Sequence, residues 1–159
     1  MCSSDLLKAV PEVEPGILFV ERQFGVLELH GPDRDAVERA GAAILEGIGA
    51  EASHQLKPRI LYSDVIEDIT DQHAVIVNRT REASMVLPGQ TLLVYEMTPA
   101  LFAAIAANEA ERVAPDVTLV NVSMIGAAGR IYMSGPTESV IRARDEITRV
   151  LESVVGREQ

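Results

Sequence analysis

Three histidines, His30, His54 and His73, are the groups a metal or a general-base site would draw on first. They are widely separated and none pairs with another at helical i, i+4 spacing, so a histidine metal site would have to be assembled by the fold. The densest polar cluster is Asp64, Glu67, Asp68, Asp71 and His73. It offers the oxygen donors a hard cation takes, but it reads better as the exposed side and turn of a hairpin. Ser84, Ser123 and Ser134 lie in no Gly-x-Ser-x-Gly elbow. Cys2 is the only cysteine, which excludes an internal disulfide and a thiolate cluster within one chain, and its place beside the terminus points to an inert thiol. "MIGAAG" (Met124 to Gly129) has a Gly-x-x-Gly spacing but no lysine, and is expected to be a tight turn, not a phosphate loop. No catalytic set emerges. The expectation is a protein that is not an enzyme and holds no cofactor or metal. What remains is "VERQFG" (Val20 to Gly25), an acid, a base and an amide between the apolar runs "GILF" and "VLEL". Charges in a hairpin turn are ordinarily just solvated.

Overall charge narrows the partners. The 159 residues carry 24 Asp+Glu against 14 Lys+Arg, a net charge of -10, so the chain repels a polyanion unless its basic residues gather on one face. Arg34, Arg39, Lys57, Arg81, Arg112 and Arg142 are instead scattered, and nucleic acid is not an expected partner. No apolar run approaches the roughly 18 residues that span a bilayer, and "MCSSDLLKAV" has neither a basic nor an apolar signal region. A soluble cytoplasmic protein without a membrane partner is expected.

The elements that position "VERQFG" appear through an internal repeat. "VPEVEPGILFVERQFGVLELHGP" (Val10 to Pro32) and "APDVTLVNVSMIGAAGRIYMSGP" (Ala114 to Pro136) align without a gap at an offset of 104, the separation of Gly31 from Gly135. Pro11 falls on Pro115, Val13 on Val117, Gly25 on Gly129 and Lys8 on Arg112, so Val20 to Gly25 and Met124 to Gly129 are equivalent turns. Each copy continues into an amphipathic helix with proline, Pro32 or Pro136, at its first position. Val37, Ala40, Ile44 and Ile48 mark the apolar face of one, and Val140 or Ile141, Ile147, Val150 or Leu151 and Val154 that of the other. Upstream of the second copy, "TLLVYEM" reads as a strand, and "TPALFAAIAANEAERVA" as a close-packing helix capped by Thr98 with Pro99 in its first turn. The order strand, helix, strand, strand, helix defines an α+β unit with helices on a mostly antiparallel sheet. The first copy begins only at the tail of the corresponding helix. Between the copies, "RILYSDVIEDI" (Arg59 to Ile69) and "QHAVIVNRT" (Gln72 to Thr80) read as two more strands, and "ASMVLPGQ" as a short helix or turn. Two units are expected, a partial one at 1–56 and a complete one at 57–159.

This arrangement resembles the bacterial microcompartment shell proteins of the circularly permuted tandem-domain type. The resemblance rests on "GVLELHGPDRDAVERAGAAILEGI", on "HAVIVNRTREASMVLPGQTLLVYEMTPALFAAIAANEAERVAPDVTLV" and on the repeat itself. It implies the shell-domain fold with permuted strand order, the first unit incomplete at its N-terminus, in a structural subunit of a cytoplasmic microcompartment shell. It also implies a homotrimer mimicking a hexamer, alone or stacked, whose partners are itself, other shell proteins and small metabolites that pass a central pore. Glu21, Arg22, Gln23 and Phe24 of one turn and Met124, Ile125, Gly126, Ala127 and Ala128 of the other then line that pore, and the Glu21-Arg22 pair would open and close it. Lys8, Arg79 and Arg112 are the implied lateral contacts between neighbouring assemblies. Two other classes compete: a small-molecule-binding regulatory α+β oligomer, which would not require equivalent turns, and an enzyme with sites between subunits.

Overall fold

A computed structural model describes residues 8–22, 24–124 and 126–158. The chain divides into two compact units, Pro58–Val154 on one side and the residues up to Lys57 together with the segment from Val155 on the other. The expected boundary of 57–159 therefore differs at the tail. Leu56 and Arg157 form a parallel bridge, with the Lys57 N–H donating to the Arg157 carbonyl and the Arg157 N–H to the Gln55 carbonyl, both at 2.8 Å.

The first unit is a hairpin and a helix. β1 (Glu14–Glu21) pairs antiparallel with β2 (Phe24–His30), and α1 (Arg34–Gly47) follows. Asp33 caps that helix by accepting the Ala36 N–H at 2.8 Å, so Pro32 lies ahead of the cap and not at the first helical position. The core here is small: Val10, Val13, Ala36 and Ala40 are buried, with Leu27, Leu29, Ala43 and Ile44 partly so. Val37 and Ile48, expected on the apolar face, are exposed because the helix turns its alanines inward instead.

The second unit is a four-stranded antiparallel sheet in the order β3-β4-β6-β5. Its strands are β3 (Arg59–Ile66), β4 (Thr91–Thr98), β5 (Thr118–Ser123) and β6 (Gly129–Gly135), and its helices α2 (Asp71–Asn78), α3 (Phe102–Val113) and α4 (Thr137–Ser153). Side chains alternate across the pleat, so the sheet is apolar on both faces. Leu93, Tyr95, Met97, Ile131 and Met133 pack under α3 and α4, where Ala103, Ala106, Ala107 and Ala110 allow close approach. Leu92 and Val120, on the alternate positions, join Ile69, Ala74 and Val86 in a second cluster.

Three expectations need correction. "QHAVIVNRT" is not a strand: Asp71–Asn78 is helical, capped by Thr70, whose hydroxyl accepts the His73 N–H at 3.4 Å. The β-branched run suggested a strand, but Ala74 and Val77 bury one helical face, and the Asn78 side chain grips the Val86 N–H and carbonyl at 2.9 and 2.8 Å. The polar cluster from Asp64 to His73 consequently joins a strand end to a helix start, and is no hairpin turn. Thr98 does not cap α3 either. It ends β4, its hydroxyl donates to the Ala127 carbonyl at 3.0 Å, and the helix begins at Phe102 after a tight turn from Pro99. Pro136 is the cap residue of α4, with Thr137 first in the helix.

Candidate functional site

The two hairpin tips share a backbone device. Arg22 has φ 53° and Gly126 has φ 76°, and these residues coincide at the repeat's offset of 104. A left-handed residue is what reverses the chain tightly. Glycine adopts it freely, whereas an L side chain crowds the following carbonyl. Copy two uses the permissive residue, and copy one holds an exposed arginine there.

Around that shared point the tips differ. In the first unit the ladder runs to the very end, with Val20 opposite Gly25 and Glu21 opposite Phe24. Glu21 is half-buried, and Arg22 and Phe24 are exposed. In the second unit the last pair among the described residues is Ser123 opposite Arg130; beyond it Met124 packs against the main core and Ala127 is held by Thr98. Gln23 and Ile125 lie outside the described residues. Among the described residues no ion pair within the chain engages Glu21 or Arg22. The first tip thus carries both signs of charge uncommitted, and the second is neutral.

One charged pair near the second tip was missed in the sequence. Glu96 on β4 and Arg130 on β6 are register partners, and Arg130 donates to one Glu96 oxygen through Nε at 3.2 Å and Nη2 at 2.9 Å. That hydrogen bond raises the arginine pKa further above its usual range. Only the strand register, unavailable from spacing alone, brings residues so far apart in sequence together.

The three cations expected at lateral contacts are all exposed. Lys8 is helical, Arg112 pairs with Glu109 at 3.3 Å in the last turn of α3, and Arg79 caps the C-terminal end of α2. Arg79 and Arg112 belong to one unit, and no hydrogen bond or ion pair among the described residues links them. No cluster of His, Cys, Asp or Glu among the described residues could hold a metal ion, and no described helix is long and apolar enough to cross a membrane.

Comparison with known proteins bears on this geometry. Residues 3–54 match the family described as the CsoS1D N-terminal domain. The carboxysome shell protein CcmP of Synechococcus elongatus is 38% identical over 97% of this chain and 72% of its own length. The chain is a bacterial microcompartment shell protein. A CsoS1D carboxysome shell protein from Prochlorococcus marinus is 34% identical over 95% of this shell protein and 59% of its own length. Among solved structures, the double-ringed trimeric shell protein MSM0271 from the RMM microcompartment is 66% identical with a TM-score of 0.93, over 98% of this chain and 77% of that one. The fused permuted hexameric shell protein MSM0275 from the same microcompartment is 45% identical with a TM-score of 0.86, over 94% and 75%. The α+β architecture and permuted strand order are those of this family, and the subunit is a structural element of a microcompartment shell in the cytoplasm.

Proposed function

We propose that this shell subunit forms a pseudohexameric homotrimer in which its two units alternate around a central pore for small metabolites, and that its role is structural and not catalytic. Carrying this reading is one observation: at the repeat's offset both hairpin tips place a left-handed residue at the same position, so two units can present equivalent turns to one axis. Three copies of the tip with Glu21, Arg22, Gln23 and Phe24 then alternate with three copies of Met124, Ile125, Gly126, Ala127 and Ala128. Opposite charges converging in a partly desolvated ring attract strongly enough to pair and narrow the opening, and turning outward they admit solute. Lys8, Arg79 and Arg112 face neighbouring assemblies of this or other shell proteins. The double-ringed trimer at 66% identity supports trimers that also stack in pairs. Native mass spectrometry tests the assembly: three copies or a multiple of three support it, and a stable monomer at micromolar concentration contradicts it. Replacing Glu21 and Arg22 together by alanine tests the pore. Flux of a small charged solute across reconstituted shells should rise and lose its salt dependence, and unchanged flux counts against the gate.

A further inference from the structure

α2 is apolar on both sides. Ala74 and Val77 face the core, while Val75 and Ile76 stand 59% and 62% exposed. Together with Asp71, Gln72 and Arg79 these two line a shallow open groove. Residues four apart share a helix face, so Asp71, Val75 and Arg79 form one stripe: a carboxylate at one end, a guanidinium at the other, and an apolar side chain midway. Neither charge has an ion-pair partner among the described residues. The helix is firmly held for its length, by the Thr70 cap at one end and by Asn78 on Val86 at the other.

Such a stripe is its own complement. Laid antiparallel across a two-fold axis, two copies set each Asp71 against the other copy's Arg79 and bring Val75, the midpoint, to the axis itself. The helix dipoles then also run in opposite directions, which favours the same arrangement. We propose that α2 is a two-fold self-contact, through which the second unit of one subunit meets the second unit of a subunit in a neighbouring assembly. This rests on the reading that assemblies meet edge to edge, and it names the partner at Arg79: a second copy of the same helix. A contact of eight residues a side is small beside the roughly 1,200 Å² of a stable pair. It is therefore weak singly and gains strength by repetition across an array.

Site-directed cross-linking tests this in the full chain. In a Cys2→Ser background, Val75→Cys should yield a covalent dimer as the main product of mild oxidation, and Glu111→Cys, exposed on α3, should not. With Val75→Cys present, Asp71→Arg alone or Arg79→Asp alone sets like charges against each other and should abolish the cross-link, and Asp71→Arg combined with Arg79→Asp should restore it. A cross-link no greater than the Glu111→Cys control, or one indifferent to the single reversals, overturns the helix pair. Native mass spectra of the same samples separate the two ideas. Intact rings without the cross-link overturn α2 pairing and leave the ring standing, and a cross-link between copies that never form rings supports α2 pairing while contradicting the ring.

Discussion

Gly25 and Gly129 occupy equivalent positions in the two units, yet only one is confined by its surroundings. A Cβ on Gly129 would run into the Ala100 carbonyl and come within 2.8 Å of the Ala103 Cβ, because the start of α3 lies over β6; on Gly25 it would meet nothing nearer than the Phe19 carbonyl at 3.9 Å. Arg22 and Gly126 show the converse, different residues in one left-handed conformation. The duplication has thus preserved a backbone path, while packing decides which residues along that path are constrained. In the second unit β6 is flanked by β4 and β5, and loop 80–84 runs along the outer edge of β5, with the Glu82 and Ala83 N–H groups on the Val120 carbonyl and Asn121 on the Thr80 carbonyl. In the first unit the corresponding strands leave Ile17, Leu18 and Val20 64%, 64% and 67% exposed.

Truncation at matched core positions should separate the units most. Ile131→Ala, at a fully buried site, should cost about 3 kcal/mol, and Leu27→Ala, its partly buried counterpart, about 1 kcal/mol. Urea denaturation measures both, and equal costs would dissolve the contrast. Next in size is the glycine pair: Gly129→Ala should destabilise by about 2 kcal/mol through overpacking, with Gly25→Ala within about 0.5 kcal/mol of the parent. The left-handed pair should respond in opposite directions. Gly126→Arg should lose about 1 kcal/mol, while Arg22→Gly should gain up to about 1 kcal/mol, the relief of crowding being offset by backbone entropy.

The smallest effect concerns the matched acids Glu12 and Asp116. A backbone hydrogen bond and Arg39 hold Glu12 below its usual pKa. Asp116 is lowered mainly by the Ser139 hydroxyl, which donates at 2.5 Å, and also by Arg142 at 3.7 Å. A carboxylate with a depressed folded-state pKa stabilises above its unfolded value, here 3.8 for Asp116 and 4.5 for Glu12. That contribution is lost as the pH falls through the folded value. Melting temperature should therefore drop below about pH 4.5, and Asp116→Asn and Glu12→Gln should each flatten part of that acid limb.

Much of this was legible in the residues. The gapless repeat anticipates both hairpins, and the alanines of "FAAIAANEA" anticipate a helix that packs closely, because these signals are local and periodic. α2 was not legible as a helix because Val75, Ile76 and Val77 are β-branched and its burial depends on Ile69, Val86 and Leu92, which sequence spacing does not reveal. Thr98 misled for a similar reason, its hydroxyl being drawn to Ala127 instead of to a helix end. On the inward face of α1, Ala40 and Ile44 were read correctly, but Val37 and Ile48 were not, small Ala36 being buried where the larger side chains are exposed. Glu96 and Arg130 meet only through register.

The central claim is that equivalent turns converge on one axis. A cryo-electron microscopy reconstruction of the assembled protein tests it most directly. The account predicts three copies, or two such rings stacked, with Glu21 and Arg22 nearest the symmetry axis and alternating with the Gly126 turns. Finding Glu21 and Arg22 on the outer rim, with another surface at the axis, would contradict it.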